Sequence, residues 1–333
     1  MMALLTLCFA GPVFSGLTKT GTTAAQFLKI PVGARALGMG GAFVAVANDV
    51  TAVYWNPAGA TKIQPRGGVC LMHTNWLADL NFDFAAACVQ LGGFGTLGAH
   101  FTSLSMPDTK VRTEFEPEGT GEYYSAMDMA LGLTYARDLT DRFSFGFNVK
   151  YLRQQIWHMA ASAVAVDLGF LYRTDFPWLT LGISVSNFGP KIQYAGKDVF
   201  VNYDFNPNEW GDNENIFANL QTDRWELPLL FRFGLSARAI ESPWQRLLLC
   251  VEARHPNDNT ENISLGMEYA FRDRFFLRAG YQSLFEDQSE KGLTLGAGLL
   301  YYLAPGLPLR FDYAFEDCGR LSTVNRFSFE LHF

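Results

Sequence analysis

The chain is short of charge. Only 18% of its 333 residues are Asp, Glu, Lys or Arg, against 49% hydrophobic and 15% aromatic residues, which excludes a disordered, solvated polypeptide. It has no basic excess either: 26 Lys and Arg face 33 Asp and Glu, for a net charge of −7. No Lys/Arg cluster could neutralise a phosphate backbone, so nucleic acid is not an expected partner. After residue 15 no run approaches the roughly 18 uninterrupted apolar residues of a membrane helix. Cysteines are few; Cys8, Cys70, Cys88, Cys250 and Cys318 show no C-x-x-C spacing, which removes zinc-ribbon and thioredoxin-like readings. The histidines, at 73, 100, 158, 255 and 332, form no H-E-x-x-H pair, and no G-x-S-x-G elbow occurs. Neither a catalytic set nor a metal site nor a cofactor is therefore expected, and the chain does not read as an enzyme.

What is present is alternation. Leu307, Leu309, Phe311, Tyr313 and Phe315 alternate with Pro308, Arg310, Asp312, Ala314 and Glu316, so one face of an extended strand is apolar and the other charged. The same parity recurs at Phe143–Tyr151, at Leu229–Ser236 and at Phe327–Phe333. Followed along the chain it predicts about fourteen strands, near 67–75, 80–91, 94–104, 125–137, 142–155, 162–173, 178–186, 226–238, 245–255, 261–271, 274–283, 291–303, 307–316 and 324–333. Short connections such as Gly92-Gly93, Asp138–Asp141 and Arg272–Arg274 alternate with the longer, polar stretches 105–124, 187–225, 284–290 and 317–323. Short inner turns and long outer loops are the pattern of an outer-membrane β-barrel. Trp76, Trp157 and Trp225 fall at expected outer strand ends, Trp178 and Trp244 at inner ones, where indole rings favour the water–lipid boundary. The polar faces carry Asp128, Lys150, Asp167, Arg232, Glu252, Glu268, Arg278 and more, too many charges for a dry core, so these faces are expected to meet water or a polar plug.

Two segments stand apart. Residues 1–15, MMALLTLCFAGPVFS, are apolar and end in small residues before Gly16, an expected export signal. Residues 16–66 break the alternation and are too few to bury a core of their own. They are expected to lie inside the 67–333 barrel as an N-terminal plug, with a short helix near Ala24–Ile30. Within them Gly38, Gly40 and Gly41 read as tight packing rather than a phosphate loop, because position 43 is Phe. Asn56, Pro57 and Ala58 either turn the plug or line a substrate path. The acidic stretches Asn206–Glu214 and Asn257–Asn262 lack the spaced EF-hand pattern and read as solvated loops.

The block GTTAAQFLKIPVGARALGMGGAFVAVANDVTAVYWNPAGATKI at residues 21–63, with VEARHPNDNTENISLGMEYAFRDRFFLRAGYQ and GLTLGAGLLYYL further on, resembles the PorV/PorQ family, itself similar to FadL-type channels. The resemblance implies an all-β, fourteen-stranded FadL-like transmembrane antiparallel barrel in the bacterial outer membrane, plugged by its N-terminus. Asn56, Pro57 and Ala58 match the plug's Asn-Pro-Ala motif. It also implies partners: outer-membrane lipid, type IX translocon subunits and the C-terminal signal domains of secreted cargo, which a PorV-type barrel binds and shuttles. Tyr203, Phe205, Trp210 and Phe217 are then candidate anchors in the long 187–225 loop. The alternative is a FadL-like channel that passes a hydrophobic ligand. Phe329, Leu331 and Phe333 fit the aromatic terminal signature read by the barrel-assembly machinery, or else form an ordinary amphipathic strand.

Overall fold

The computed structural model describes residues 19–206, 208, 215–286 and 289–333; the expected leader and Trp210 lie outside them. Fourteen long strands follow the alternation: β1 Gly67–Asn75, β2 Asn81–Gln90, β3 Thr96–Ser105, β4 Ala126–Asp138, β5 Phe143–Ile156, β6 Met159–Arg173, β7 Leu179–Phe188, β8 Leu230–Glu241, β9 Gln245–Pro256, β10 Asn262–Phe271, β11 Phe275–Leu284, β12 Leu293–Ala304, β13 Leu307–Asp317 and β14 Thr323–His332. Each pairs antiparallel with its neighbours in sequence, and β1 pairs with β14 from Gly68↔His332 to His73↔Phe327. The sheet thus closes into an up-and-down barrel with no free edge, the form in which strands can cross a bilayer with every ladder bond made. No described helix is long and apolar enough to cross a membrane.

Parity decides which side chain faces which solvent. In β13 the burial alternates without a break, Arg310, Asp312 and Glu316 inward, Leu309, Phe311, Tyr313 and Phe315 outward. A one-residue slip would put three charges into lipid, which fixes the register. Strand ends agree with the sequence expectation to within a few residues, except that β8 begins at Leu230 rather than near 226. Pro228 has no N–H to give to a ladder, its carbonyl accepts from Asn187 Nδ2 at 2.9 Å, and Leu227 turns inward to become buried. The short turns lie at one end of the barrel and the long loops at the other. Two small hairpins, Thr109–Lys110 with Tyr123–Tyr124 and Phe200–Tyr203 with Ile216–Asn219, stand in the long loops.

The N-terminal segment runs through the barrel. Its described part starts at the loop end, where Thr23 forms a parallel bridge with Glu226 and Ala24 N donates to Glu226 O at 2.9 Å. It finishes at the turn end, where Arg66 N donates to the carbonyl of Phe333 at 2.9 Å. Between them lie a 3-10 turn at Gln26–Lys29 in place of the expected helix, α1 at Ala34–Gly38, α2 at Ala52–Trp55 and a 3-10 turn at Pro57–Lys62. These pieces are far too short to be stable alone; the surrounding wall holds them.

Candidate functional site

The lumen has two unlike walls. The inner face of β1–β6 is largely apolar or small: Met72, Phe82, Phe84, Leu152, Ala161 and Ala163 pack against Phe27, Leu28, Ile30 and Val53 of the N-terminal segment. The inner face of β8–β14 is ionic, and residues 33–52 meet it. Arg35 donates through Nε and NH2 to both oxygens of Glu268, each at 2.9 Å, and through NH1 to Asn48 Oδ1 at 2.6 Å and Asp49 Oδ2 at 3.0 Å. Arg278 Nε donates to Glu268 at 2.7 Å, and Arg310 Nε lies 2.9 Å from Asp312. Arg35, Arg278 and Arg310 balance Asp49, Glu268 and Asp312, so the buried cluster carries no net charge.

Of the two partners expected for these charges, water or a polar plug, the N-terminal segment supplies Arg35, Asp49 and the N–H groups of Phe43 and Val44. Glu268, Arg278 and Asp312 are at most 3% exposed; bidentate pairing with Arg35 and a shared bond from Arg278 satisfy the Glu268 carboxylate. Glu252, fully buried, is satisfied the same way: the backbone N–H groups of Phe43 and Val44 donate to its Oε2 at 2.9 Å each and Arg254 Nε to its Oε1 at 2.9 Å. Glu330 accepts from Val50 N at 2.5 Å. On the opposite wall Lys150 and Asp167 pair at 2.8 Å. Arg238, on the same parity of β8 as the buried Arg232, sits half-exposed near the turn end, paired with Glu241 at 2.8 Å.

Glycines bring segment and wall into backbone contact. Gly40 has φ +65°, and a Cβ there would stand 2.5 Å from Leu265 O; one on Gly280 would stand 2.1 Å from Gly40 N. Gly38 and Gly40 thus pack tightly on β10–β12, and Gly41 against Arg254 of β9 and Trp55. Asn56, Pro57 and Ala58 do the same on the other wall. A Cβ on Gly169 would meet Asn56 Oδ1 at 2.1 Å, while Asn56 Nδ2 donates to Val44 O at 2.8 Å and to Phe170 O of β6 at 3.0 Å. Asn56 is fully buried: it turns the segment and ties it to the wall at once. Sequence reading missed Arg35 and Asp49, and the wall glycines of β5–β7 and β10–β12; their only advance signal was glycine recurring at inward parity.

At the outer end, Phe205 is 75% and Phe217 81% exposed, and Tyr203 stands with Phe217 on the Phe200–Tyr203/Ile216–Asn219 hairpin. Phe115, in the loop between β3 and β4, is 91% exposed and went unnoticed in the sequence. Asp258 overturns the reading of its loop as solvated: it is buried, accepting from Thr23 Oγ1 at 2.6 Å, Gln26 Nε2 at 2.8 Å and Lys29 Nζ at 2.9 Å. Burial alone would raise its pKa, but the bonds from Gln26, Thr23 and Lys29 outweigh it and hold the carboxyl below its ordinary value. Trp76 is no boundary anchor; its ring is half-buried and lies 4.7 Å from the Arg326 guanidinium. Phe327, Phe329 and Phe333 are exposed to the lipid side, and Leu331 is partly covered. Two apolar hollows, of about 710 and 360 Å³, are lined by outward residues such as Leu71, Phe101 and Phe329, and Phe231, Phe233 and Ile263, and so lie on the outside of the wall. Among the described residues no group of His, Cys, Asp and Glu could hold a metal ion.

Solved barrels share this architecture. A Pseudomonas aeruginosa FadL homologue superposes with a TM-score of 0.55 at 12% identity, covering 91% of this chain and 98% of its own. The Ralstonia pickettii toluene transporter TbuX gives 0.56 at 11%, covering 91% and 98%, and the P. putida toluene transporter TodX 0.54 at 11%, covering 90% and 96%. At such identity these likenesses speak for the fold. None of the curated proteins matches. The model of the type IX secretion system protein PorV matches residues 16–209, more than half of the chain; with the closed fourteen-stranded FadL-like wall, this makes the chain a member of the PorV family of type IX secretion system proteins, an integral β-barrel of the outer membrane.

Proposed function

We propose that this barrel is a docking protein for type IX secretion, not an enzyme, and that its outer loops bind the C-terminal signal domain of exported cargo and hand it on from the translocon. The observation that carries the reading is the contrast between a locked lumen and a sticky rim. Residues 16–66 act as a plug: moving them aside would take the bidentate Arg35 from Glu268 and the Phe43 and Val44 N–H groups from Glu252, at a cost of several kcal/mol. Phe115, Tyr203, Phe205 and Phe217, by contrast, expose large aromatic surface at the outer end, the residue type that anchors protein interfaces. Trp210 belongs to the same proposed loop by sequence. A terminal strand ending in Phe329, Leu331 and Phe333 serves the barrel-assembly machinery in this reading.

Co-purification from detergent-solubilised membranes tests it. The wild-type barrel is expected to bring down a translocon subunit or a cargo C-terminal domain, and the Phe205→Ala/Phe217→Ala double variant to recover markedly less while still folding. A barrel recovered alone under conditions that keep the translocon intact would count against the reading. The alternative, a channel for hydrophobic molecules, requires a path past the plug, and the tight backbone contacts at Gly40 and Gly169 oppose one.

A further inference from the structure

We infer that Lys19–Thr22 are displayed on the cell surface: they lie at the extracellular mouth, in the same rim as the 200–203/216–219 hairpin, anchored there by Asp258. Lys19, Thr20, Gly21 and Thr22 are exposed, and the polar side chains that follow are held by outer-loop groups. Thr23 bridges to Glu226, and Thr23, Gln26 and Lys29 all donate to the one buried carboxylate of Asp258. Ala25 N adds a bond to Gln154 Oε1 at 3.0 Å near the outer end of β5. The other end of the segment, Arg66, is tied to Phe333 and Gln90 at the turn end. A segment bonded to both rims spans the barrel, so its first residues and its last lie on opposite sides of the membrane.

The display rests on the long loops facing outward, but not on what those loops bind.

Single cysteines read by a membrane-impermeant maleimide on intact cells test the inference. Among the described residues the cysteines Cys70, Cys88, Cys250 and Cys318 are buried, and Cys8→Ser in the parent removes the fifth. Thr20→Cys is expected to react as fully as Phe217→Cys, and Gly93→Cys, in the open turn between β2 and β3, only after the outer membrane is permeabilised. Thr20→Cys shielded while Phe217→Cys reacts would overturn the inference itself; shielding of both with Gly93→Cys reactive would overturn it through the orientation of the barrel. For the anchor, trypsin added to intact cells is expected to cut after Lys29 on the order of tenfold faster in Asp258→Ala than in wild type, since charge-assisted bonds that close the local opening are lost. An unchanged rate would remove Asp258 from the role.

Discussion

The two walls of the lumen hold the same segment by opposite physics. Against β1–β6 the contact is apolar, non-directional and tolerant of small shifts: Phe27, Leu28 and Ile30 bury beside Phe84, Leu152 and Ala163. Against β8–β14 it is ionic and directional, with Arg35 forked onto Glu268 and backbone N–H groups aimed at Glu252. The apolar wall supplies attraction; the ionic wall supplies register, because a charge displaced by a few ångströms loses its partner and keeps its desolvation cost.

Substitutions should separate the walls. The largest loss is expected from Glu268→Ala, which leaves Arg35, Arg278 and Arg310 facing one another: about 3–5 kcal/mol, read as a lower unfolding temperature in detergent or failure to reach the folded, heat-modifiable form. Leu152→Ala, on the apolar wall and 1% exposed, should cost about 2–5 kcal/mol but leave the segment in register, so that protection of Lys29 from protease is retained. If Leu152→Ala frees the segment as readily as Glu268→Ala does, the division of labour between the walls is wrong. Gly169→Ala should cost about 1–3 kcal/mol by overpacking against Asn56, a strain that Gly169→Ala/Asn56→Ser would partly relieve.

The smallest effect is that of acid. Asp258 has its pKa lowered in the folded state, so its contribution is present above the ordinary aspartate value of about 3.9 and is lost only as pH falls through the lower folded value. Protease sensitivity at Lys29 should therefore stay flat from neutrality down to about pH 4 and rise only in stronger acid. A rise already near pH 6 would show that another group controls the anchor.

Much of the fold was open to inspection in the residues themselves. Phe311, Tyr313 and Phe315 alternating with Asp312, Ala314 and Glu316 announce a strand with one lipid-facing side, and Gly92-Gly93 marks a turn, because both signals are local. The glycines at 38, 40 and 41 read as tight packing from local context too, whereas Asn56-Pro57-Ala58 left a turn and a substrate path both open. Partnerships separated by hundreds of positions were not legible: Arg35 with Glu268, Lys29 with Asp258, Gly40 with Gly280. Trp76 and Asp258 were misplaced for one cause. Local context makes each a surface residue, and only the N-terminal segment and the facing strands cover them.

The sequence by itself determined that this chain is a lipid-facing barrel, since period-two alternation and the absence of a helical span leave few other ways to satisfy backbone polar groups in a bilayer. It also determined the sparing use of charge, half of every strand being reserved for lipid. Whether that charge meets solvent or the N-terminal segment was decided by tertiary structure alone. Neutralising a buried carboxylate depends on geometry to within about an ångström, and that geometry exists only once fourteen strands have closed around residues 25–63.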